Sequence, residues 1–310
     1  MTVLFVLVGV GLVALPAVQH RRLEQLSPPE WCRATTTSIR AGMAVLQLGL
    51  LFGAAPSVLR TVGVHEAADA CHRMFGPAAP GGAVTGWLSA GLLGYVLHAR
   101  WRARRHVRHA AAVTTIEPWL GTHQLVDGVD HVTIPSDRPL AYAVPGPAPQ
   151  VVVSDRLRAS LTPEELAAVL RHETSHLRRG HHRELTLACE VETVFARWPQ
   201  VLRAAALLRL AVERVADEDA IATTEDRRHV RDALVKTATS MVAAAVPAFT
   251  PAATILHRIT ALETAPDALP STRVAALAPI LLAVAGAWTA VAFWTLASHH
   301  LFGLIAICFD

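Results

Sequence analysis

Two histidines lie four residues apart with a glutamate directly after the first, in the sequence His172, Glu173, Thr174, Ser175, His176. Residues four apart share one face of an α-helix, so both imidazoles can bind one metal ion, with Glu173 beside it. Zinc held in this way acidifies a bound water and polarises a carbonyl group, and the glutamate can take the proton of that water. The motif predicts a zinc-dependent peptidase. Two surface histidines on an amphipathic helix are the alternative.

A catalytic zinc site also needs a third protein ligand, and it keeps its fourth position open. Glu213 and Asp217 lie four apart in a stretch rich in alanine and leucine. We expect Glu213 to bind the metal and Asp217 to hydrogen-bond a ligand histidine and fix its orientation. Glu190 and Glu192 are weaker candidates for the third ligand, because neither is followed by an acid four residues on. The alternative is a solvated acidic face, since two further acids follow Asp217 directly.

Three other histidines are candidates for the same region. His181 and His182 follow His176 closely, but adjacent helix positions point in different directions, which favours a polar surface. His229 could stabilise the oxyanion that forms during peptide hydrolysis, although nothing in its sequence neighbourhood places it there. The predicted site includes none of the three.

Local signals define the helix that carries the motif. Thr162 can cap a helix in which Pro163 occupies the first turn and Glu165 returns the capping hydrogen bond. Gly180 is a plausible stop signal, so the sequence predicts a helix from Pro163 to Arg179.

Shorter elements are predicted on both sides of that helix. Before it, Ala141–Val144 and Val151–Val153 form two predicted strands around a Pro-Gly-Pro turn. The second strand could pair with an extended substrate at an exposed sheet edge, and core packing explains it equally well. After the helix, a second helix begins near Glu184. A third follows Pro199 and runs from about Val201 to Ala222.

The composition indicates a membrane protein. Hydrophobic residues make up 52% of the 310 residues and the mean hydropathy is +0.36, which is too apolar for an ordinary soluble chain. Four stretches approach the ~20 residues that a membrane-spanning helix needs: Val3–Val18, Ala41–Leu59, Gly81–Leu97 and Val274–Ala297. The net charge of +3 is too small an excess to indicate nucleic-acid binding.

Basic residues predict the orientation, because short loops rich in arginine stay in the cytoplasm. The strongest cluster runs from Arg100 to Arg108. The predicted fold is therefore a mainly α membrane protein with four transmembrane helices, three plus one. Residues 1–99 hold three spans, residues 100–273 form an inserted α+β cytoplasmic domain, and residues 274–310 hold the last span. Both termini are outside, where Cys71 and Cys308 either form a disulfide or remain free thiols.

The sequence resembles the BlaR/MecR-type membrane metallopeptidases, which transduce antibiotic signals, and especially their short actinobacterial relatives. The resemblance spans roughly residues 142–222. It rests on the motif from His172 to His176 with the residues up to His182, on the capped helix, and on Glu213 with Asp217. In related CAAX-processing and HtpX-type membrane proteases, a glutamate followed four residues later by aspartate supplies the third ligand and its support.

This resemblance implies a gluzincin-like peptidase domain with one Zn²⁺ per chain. His172, His176 and Glu213 would bind the metal, Glu173 would be catalytic and Asp217 would support a ligand. It also implies a protein substrate, a BlaI-type transcriptional repressor. The chain ends at Asp310, shortly after the last predicted span, so the expected form lacks a penicillin-binding sensor domain. An HtpX-like quality-control protease and a non-catalytic signalling or scaffold relative are the competing interpretations.

Overall fold

The computed structural model describes residues 2–75, 83–114, 121–126, 128–221, 224–243 and 252–264. The described chain is mostly helical and contains one small sheet. The helices are α1 (Thr2–Val18), α2 (His20–Leu23), α3 (Pro28–Thr61), α4 (His65–Phe75), α5 (Ala83–Thr114), α6 (Asp155–Ser160), α7 (Pro163–Arg179), α8 (His182–Val194), α9 (Pro199–Ala220), α10 (Thr224–Ala243) and α11 (Ala252–Glu263). The strands are β1 (Thr122–Val126), β2 (Val129–Ile134), β3 (Ala141–Val144) and β4 (Gln150–Ser154).

Helices α1 and α3 pack with their backbones in direct contact. A Cβ atom added to Gly9 would lie 2.7 Å from the amide nitrogen of Leu46, and one added to Gly42 would lie 2.6 Å from the carbonyl oxygen of Gly9. The Ser38 hydroxyl donates a buried hydrogen bond of 2.7 Å to the carbonyl of Leu12 across the same contact. Small residues and hydroxyl groups at a close helix crossing are typical of helices that pack within a bilayer.

Among the described residues, α3 is the one helix long and apolar enough to cross a membrane, and α1 is a shorter apolar helix. The predicted spans Val3–Val18 and Ala41–Leu59 lie within these two helices. Most of the third predicted span, Gly81–Leu97, lies in α5. The fourth, Val274–Ala297, and the predicted disulfide partner Cys308 lie outside the described residues. The presence of four membrane spans stays a prediction.

A single hydrophobic core joins α1, α3 and α5 to α8 and α9. It includes Trp31 and Ile39 of α3, Val96 of α5, Val191 of α8 and Leu208 of α9. The predicted boundary between membrane region and peptidase domain falls inside α5. Helix α9, which carries the predicted third ligand, therefore packs directly on the apolar helices.

The sheet has the order β1-β2-β4-β3, with β4 parallel to β2 and antiparallel to β3. The two predicted strands correspond to β3 and β4. Val151–Val153 lies in the interior strand and is buried, so core packing explains it, and the alternative of an exposed edge is wrong. Strand β3 is the edge that packs against α7.

Helix α7 has the bounds that the sequence predicts, Pro163–Arg179. The Thr162 hydroxyl accepts a 3.3 Å hydrogen bond from the Glu165 amide, and the Glu165 carboxylate accepts a 2.8 Å bond from the Thr162 amide. At the other end Gly180 has a φ of 68°, and its amide donates to the Leu177 carbonyl at 3.1 Å. The amide of His181 donates to the His176 carbonyl at 3.0 Å. These two bonds define a Schellman motif, which turns the chain back over the last helical turn.

We expect Gly180→Ala to destabilise the protein by about 1 kcal/mol, because a side chain at positive φ is strained. The apparent Tm of the detergent-solubilised chain should fall by about 2–4 °C. Gly146→Ala is the matched control, since Gly146 has no positive φ and a Cβ there meets no atom within 4 Å. Equal Tm values for the two variants would contradict the proposed role of the turn.

Candidate metal centre

Helices α7 and α9 pack side by side and bring three potential metal ligands together. The Nε2 atoms of His172 and His176 lie 3.2 Å apart. The Glu213 carboxylate lies 3.5 Å from Nε2 of His172 and 3.8 Å from Nε2 of His176. The side chains of His172, His176 and Glu213 are 13%, 12% and 23% exposed. The alternative of two surface histidines therefore does not apply.

The spacing of these atoms suits a metal ion. Among the described residues, His172, His176 and Glu213 form the group in which one ligand atom from each residue lies within 4.8 Å of the others. Ligand atoms at ~2.0–2.1 Å from a tetrahedral zinc ion lie roughly 3.3 Å from one another. The observed separations are close to that value, and the donor set of two imidazoles and one carboxylate is one that zinc accepts.

Asp217 fixes the orientation of His172. Its Oδ1 atom lies 3.1 Å from Nδ1 of His172, and the Asp217 side chain is 3% exposed. The bond occupies Nδ1, which leaves Nε2 directed at Glu213 and His176. Asp217 therefore lies where the sequence placed it, and the alternative of a solvated acidic face does not apply to this residue.

His181 holds the second histidine in the same way. Its Nδ1 lies 3.0 Å from Nδ1 of His176, and the residue is 4% exposed. The prediction of a polar surface is correct for exposed His182 and wrong for His181. The Schellman motif explains the difference, because it brings the residue after the glycine into contact with the residue three positions before the helix end. Gly180 followed by histidine was the signal for this contact.

Arg258 of α11 is the other residue that the sequence analysis missed. Its guanidinium donates two hydrogen bonds to the Asp217 carboxylate, at 2.6 and 2.8 Å, and its Nη1 lies 2.9 Å from Glu213. The residue is 7% exposed. One cation thus compensates the buried Asp217 carboxylate and the partly buried Glu213 carboxylate, which would otherwise be costly to remove from water. A single arginine in an otherwise largely apolar helix was the available signal.

The charges of the cluster determine how its histidines are protonated in the metal-free protein. Burial disfavours a charged His172, but hydrogen bonds to Asp217 and Glu213 outweigh it and raise the pKa of His172 to about 10. Burial and the charge of His172 lower the pKa of His176 to about 4. His172 therefore carries the proton that a metal ion would replace, as is usual when a metal binds ionisable ligands.

Glu173 lies next to the sheet edge. Burial raises the pKa of its carboxyl above the ordinary value, and the nearby charge of His172 only partly opposes this. A backbone hydrogen bond from Ala143 of β3 reaches the Glu173 carboxylate. The acid beside the two histidines therefore faces both the cluster and the strand.

The weaker candidates have other partners. Glu190 accepts hydrogen bonds from two arginines of α5, and Glu192 pairs with Arg209 at 2.8 and 2.9 Å. Neither belongs to the metal-binding group. His229 lies on α10, where it acts electrostatically on Glu164 at the start of α7. None of the three lies in the group formed by His172, His176 and Glu213 among the described residues.

A variant of Arg258 tests how much the stability of the protein depends on its contacts with the Asp217 and Glu213 carboxylates. We expect Arg258→Gln to lower the free energy of unfolding of the metal-free protein by about 3–5 kcal/mol, because it leaves buried negative charge without a partner. Arg203→Gln, at an exposed position of α9, should change it by less than about 0.5 kcal/mol. Denaturant unfolding in detergent measures both, and similar values would contradict the assigned contact.

Comparison with known protein families gives a match that covers the residues of this cluster. A sequence profile described as BlaR1 peptidase M56 matches residues 94–262, which is more than half of the chain. The matched region contains α7, α9 and all but the last residue of α11, with all the residues of the cluster. No curated protein and no solved structure gave a significant match. The chain belongs to the BlaR1 peptidase M56 family of membrane-associated metallopeptidases.

Proposed function

We propose that the chain is a membrane-embedded zinc endopeptidase in which His172, His176 and Glu213 hold one Zn²⁺. The observation that carries the proposal is the convergence of both Nε2 atoms on the Glu213 carboxylate, while each Nδ1 is occupied by a different supporting residue. This arrangement fixes the tautomers that metal binding requires. The family match supports the same class of enzyme.

Catalysis would divide between the metal and Glu173. Zinc, when bound, supplies Lewis acidity that polarises the scissile carbonyl and acidifies the attacking water. Glu173 takes the proton of that water and passes it to the leaving amine. Burial raises the pKa of its carboxyl above the ordinary value of a glutamate, which strengthens it as a base. Asp217 and His181 keep the two imidazoles oriented throughout.

We expect the edge of β3 to bind a substrate in extended conformation. In the described part of the chain β3 pairs on one side only, with β4. Its Ala143 amide bonds to Glu173, so the edge runs beside the acid. A peptide added to this edge as a further strand would bring its backbone to Glu173 and the metal ligands. Such binding recognises backbone rather than particular side chains.

The surroundings of the site support a gluzincin-like peptidase domain at the cytoplasmic membrane surface. The preceding basic run from Arg100 to Arg108 favours the cytoplasmic side. We propose four spans, with residues 100–273 between the third and the fourth. A BlaI-type repressor is the proposed substrate, on the basis of family membership, and quality control of membrane proteins in the manner of HtpX is the alternative.

The proposed peptidase activity is tested with the purified wild type and the Glu173→Gln variant in detergent. Both should contain about one zinc per chain by elemental mass spectrometry, because Glu173 is outside the proposed ligand set. The variant should cleave a BlaI-type repressor roughly 10²–10⁴-fold more slowly, because it cannot accept the proton. Wild type without zinc would overturn the proposal. Cleavage of an unfolded membrane protein but not of the repressor would favour quality control.

Variants of His181 and of its neighbour test whether His181 fixes the orientation of the proposed ligand His176. We expect His181→Ala to weaken zinc affinity by about 10–100-fold, because a free imidazole loses its fixed tautomer and orientation. His182→Ala is the matched control, since His182 is exposed and outside the cluster. Competition with a chromophoric chelator measures both affinities. Equal weakening in the two variants would show that His181 does not act through His176.

A further inference from the structure

Helix α5 changes character along one exposed surface. Its first half presents large apolar side chains that are 45–74% exposed: Val84, Trp87, Leu88, Leu92, Tyr95 and Leu97. Water would be an unfavourable neighbour for such a surface, and lipid chains a favourable one. Trp101 follows at the end of this apolar face and is 53% exposed. Tryptophan at such a boundary is typical of the level where a bilayer meets water.

Positive charge begins immediately after the apolar face. Arg102, Arg105 and Arg108 are exposed, and α5 contains no acidic residue. In the described part of the chain, none of these three forms an ion pair with a carboxylate. Arg100 and Arg104 differ, because both point at the buried Glu190 of α8. Arg100 and Arg104 thus connect α5 to α8. The other three arginines have no carboxylate partner among the described residues, and Arg105 Nε donates a 3.1 Å hydrogen bond to Nε2 of His109.

A cleft of about 490 Å³ lies between this part of α5 and α8. Basic and aromatic side chains of α5 line it, including His98, Trp101, Arg102, Arg105 and His106, and Cys189 of α8 contributes to the lining. The Arg105 guanidinium lies 5.3 Å from the centre of the Trp101 ring, which holds the cation beside the cleft.

We propose that this α5–α8 cleft binds the headgroup of an anionic phospholipid. The apolar half of α5 would contact the acyl chains, Trp101 would lie at the interface, and Arg102 with Arg105 would donate hydrogen bonds to the phosphate. Guanidinium groups pair well with phosphate oxygens, and basic residues just beyond a membrane helix are drawn to anionic lipids. The site rests on the proposed membrane placement of α5 and is independent of the metal chemistry.

The test uses the zinc-loaded full chain in a neutral detergent at low ionic strength. Short-chain phosphatidylglycerol, phosphatidylcholine with the same chains, and inorganic phosphate are added separately, and the apparent Tm is measured. Phosphatidylglycerol at ~100 times its Kd should raise the Tm by about 5 °C, and the other two should not. Added salt should weaken the effect.

The double variant Arg102→Gln/Arg105→Gln should lose the rise with phosphatidylglycerol, and Arg203→Gln should keep it. All three proteins should contain the same zinc per chain, which separates this site from the metal centre. An equal rise with phosphatidylcholine, an equal rise with phosphate alone, or a full rise in the double variant would each overturn the lipid site. A chain that stays monodisperse without detergent would overturn the membrane placement itself.

Discussion

The contact of buried Arg258 with the Asp217 and Glu213 carboxylates is the interaction on which the proposed metal centre depends. Asp217 can hold His172 in place only if its own charge is compensated, and Arg258 supplies that compensation through two hydrogen bonds. The same guanidinium reaches Glu213, so one side chain of α11 contacts both Glu213 and Asp217. Removing either type of charge alone would leave the other buried without a partner.

Helix α11 also connects the centre to the apolar helices. Next to Arg258, His257 lies 3.6 Å from the Glu24 carboxylate, and its ring centre lies 6.2 Å from that of Trp31 at the start of α3. Adjacent residues of one helix therefore contact the segment between α1 and α3 on one side and the metal centre on the other. Together with the core that α9 shares with α3, this contact packs the helices that carry Glu213 and Arg258 against α3, which is proposed to cross the membrane.

Local patterns in the sequence sufficed for α7 and for the acids of α9. The cap at Thr162, the stop at Gly180 and the four-residue spacings act within one helix, so they can be recognised without knowledge of the fold. Arg258 lies 41 residues from Asp217, and only tertiary packing brings the two together. Strands β1 and β2 were both missed. All five residues of β1 are exposed, and the buried Val129, Val132 and Ile134 of β2 do not follow a strict alternation, so neither strand shows an alternating hydrophobic pattern. The position of His181 depends on the chain reversal at Gly180, which lies beyond the helical pattern of α7.

The central claim is that two imidazoles and one carboxylate hold the metal, and X-ray absorption spectroscopy at the zinc edge tests it most directly. The zinc-loaded wild type should show two imidazole nitrogens and oxygen donors at ~2.0–2.1 Å. Glu213→Ala should lose most of its bound zinc, and the zinc that remains should keep its imidazole ligands. Glu192→Ala should match the wild type in zinc content and in zinc ligands. A sulfur shell at ~2.3 Å, or a zinc environment without imidazole, would contradict the account.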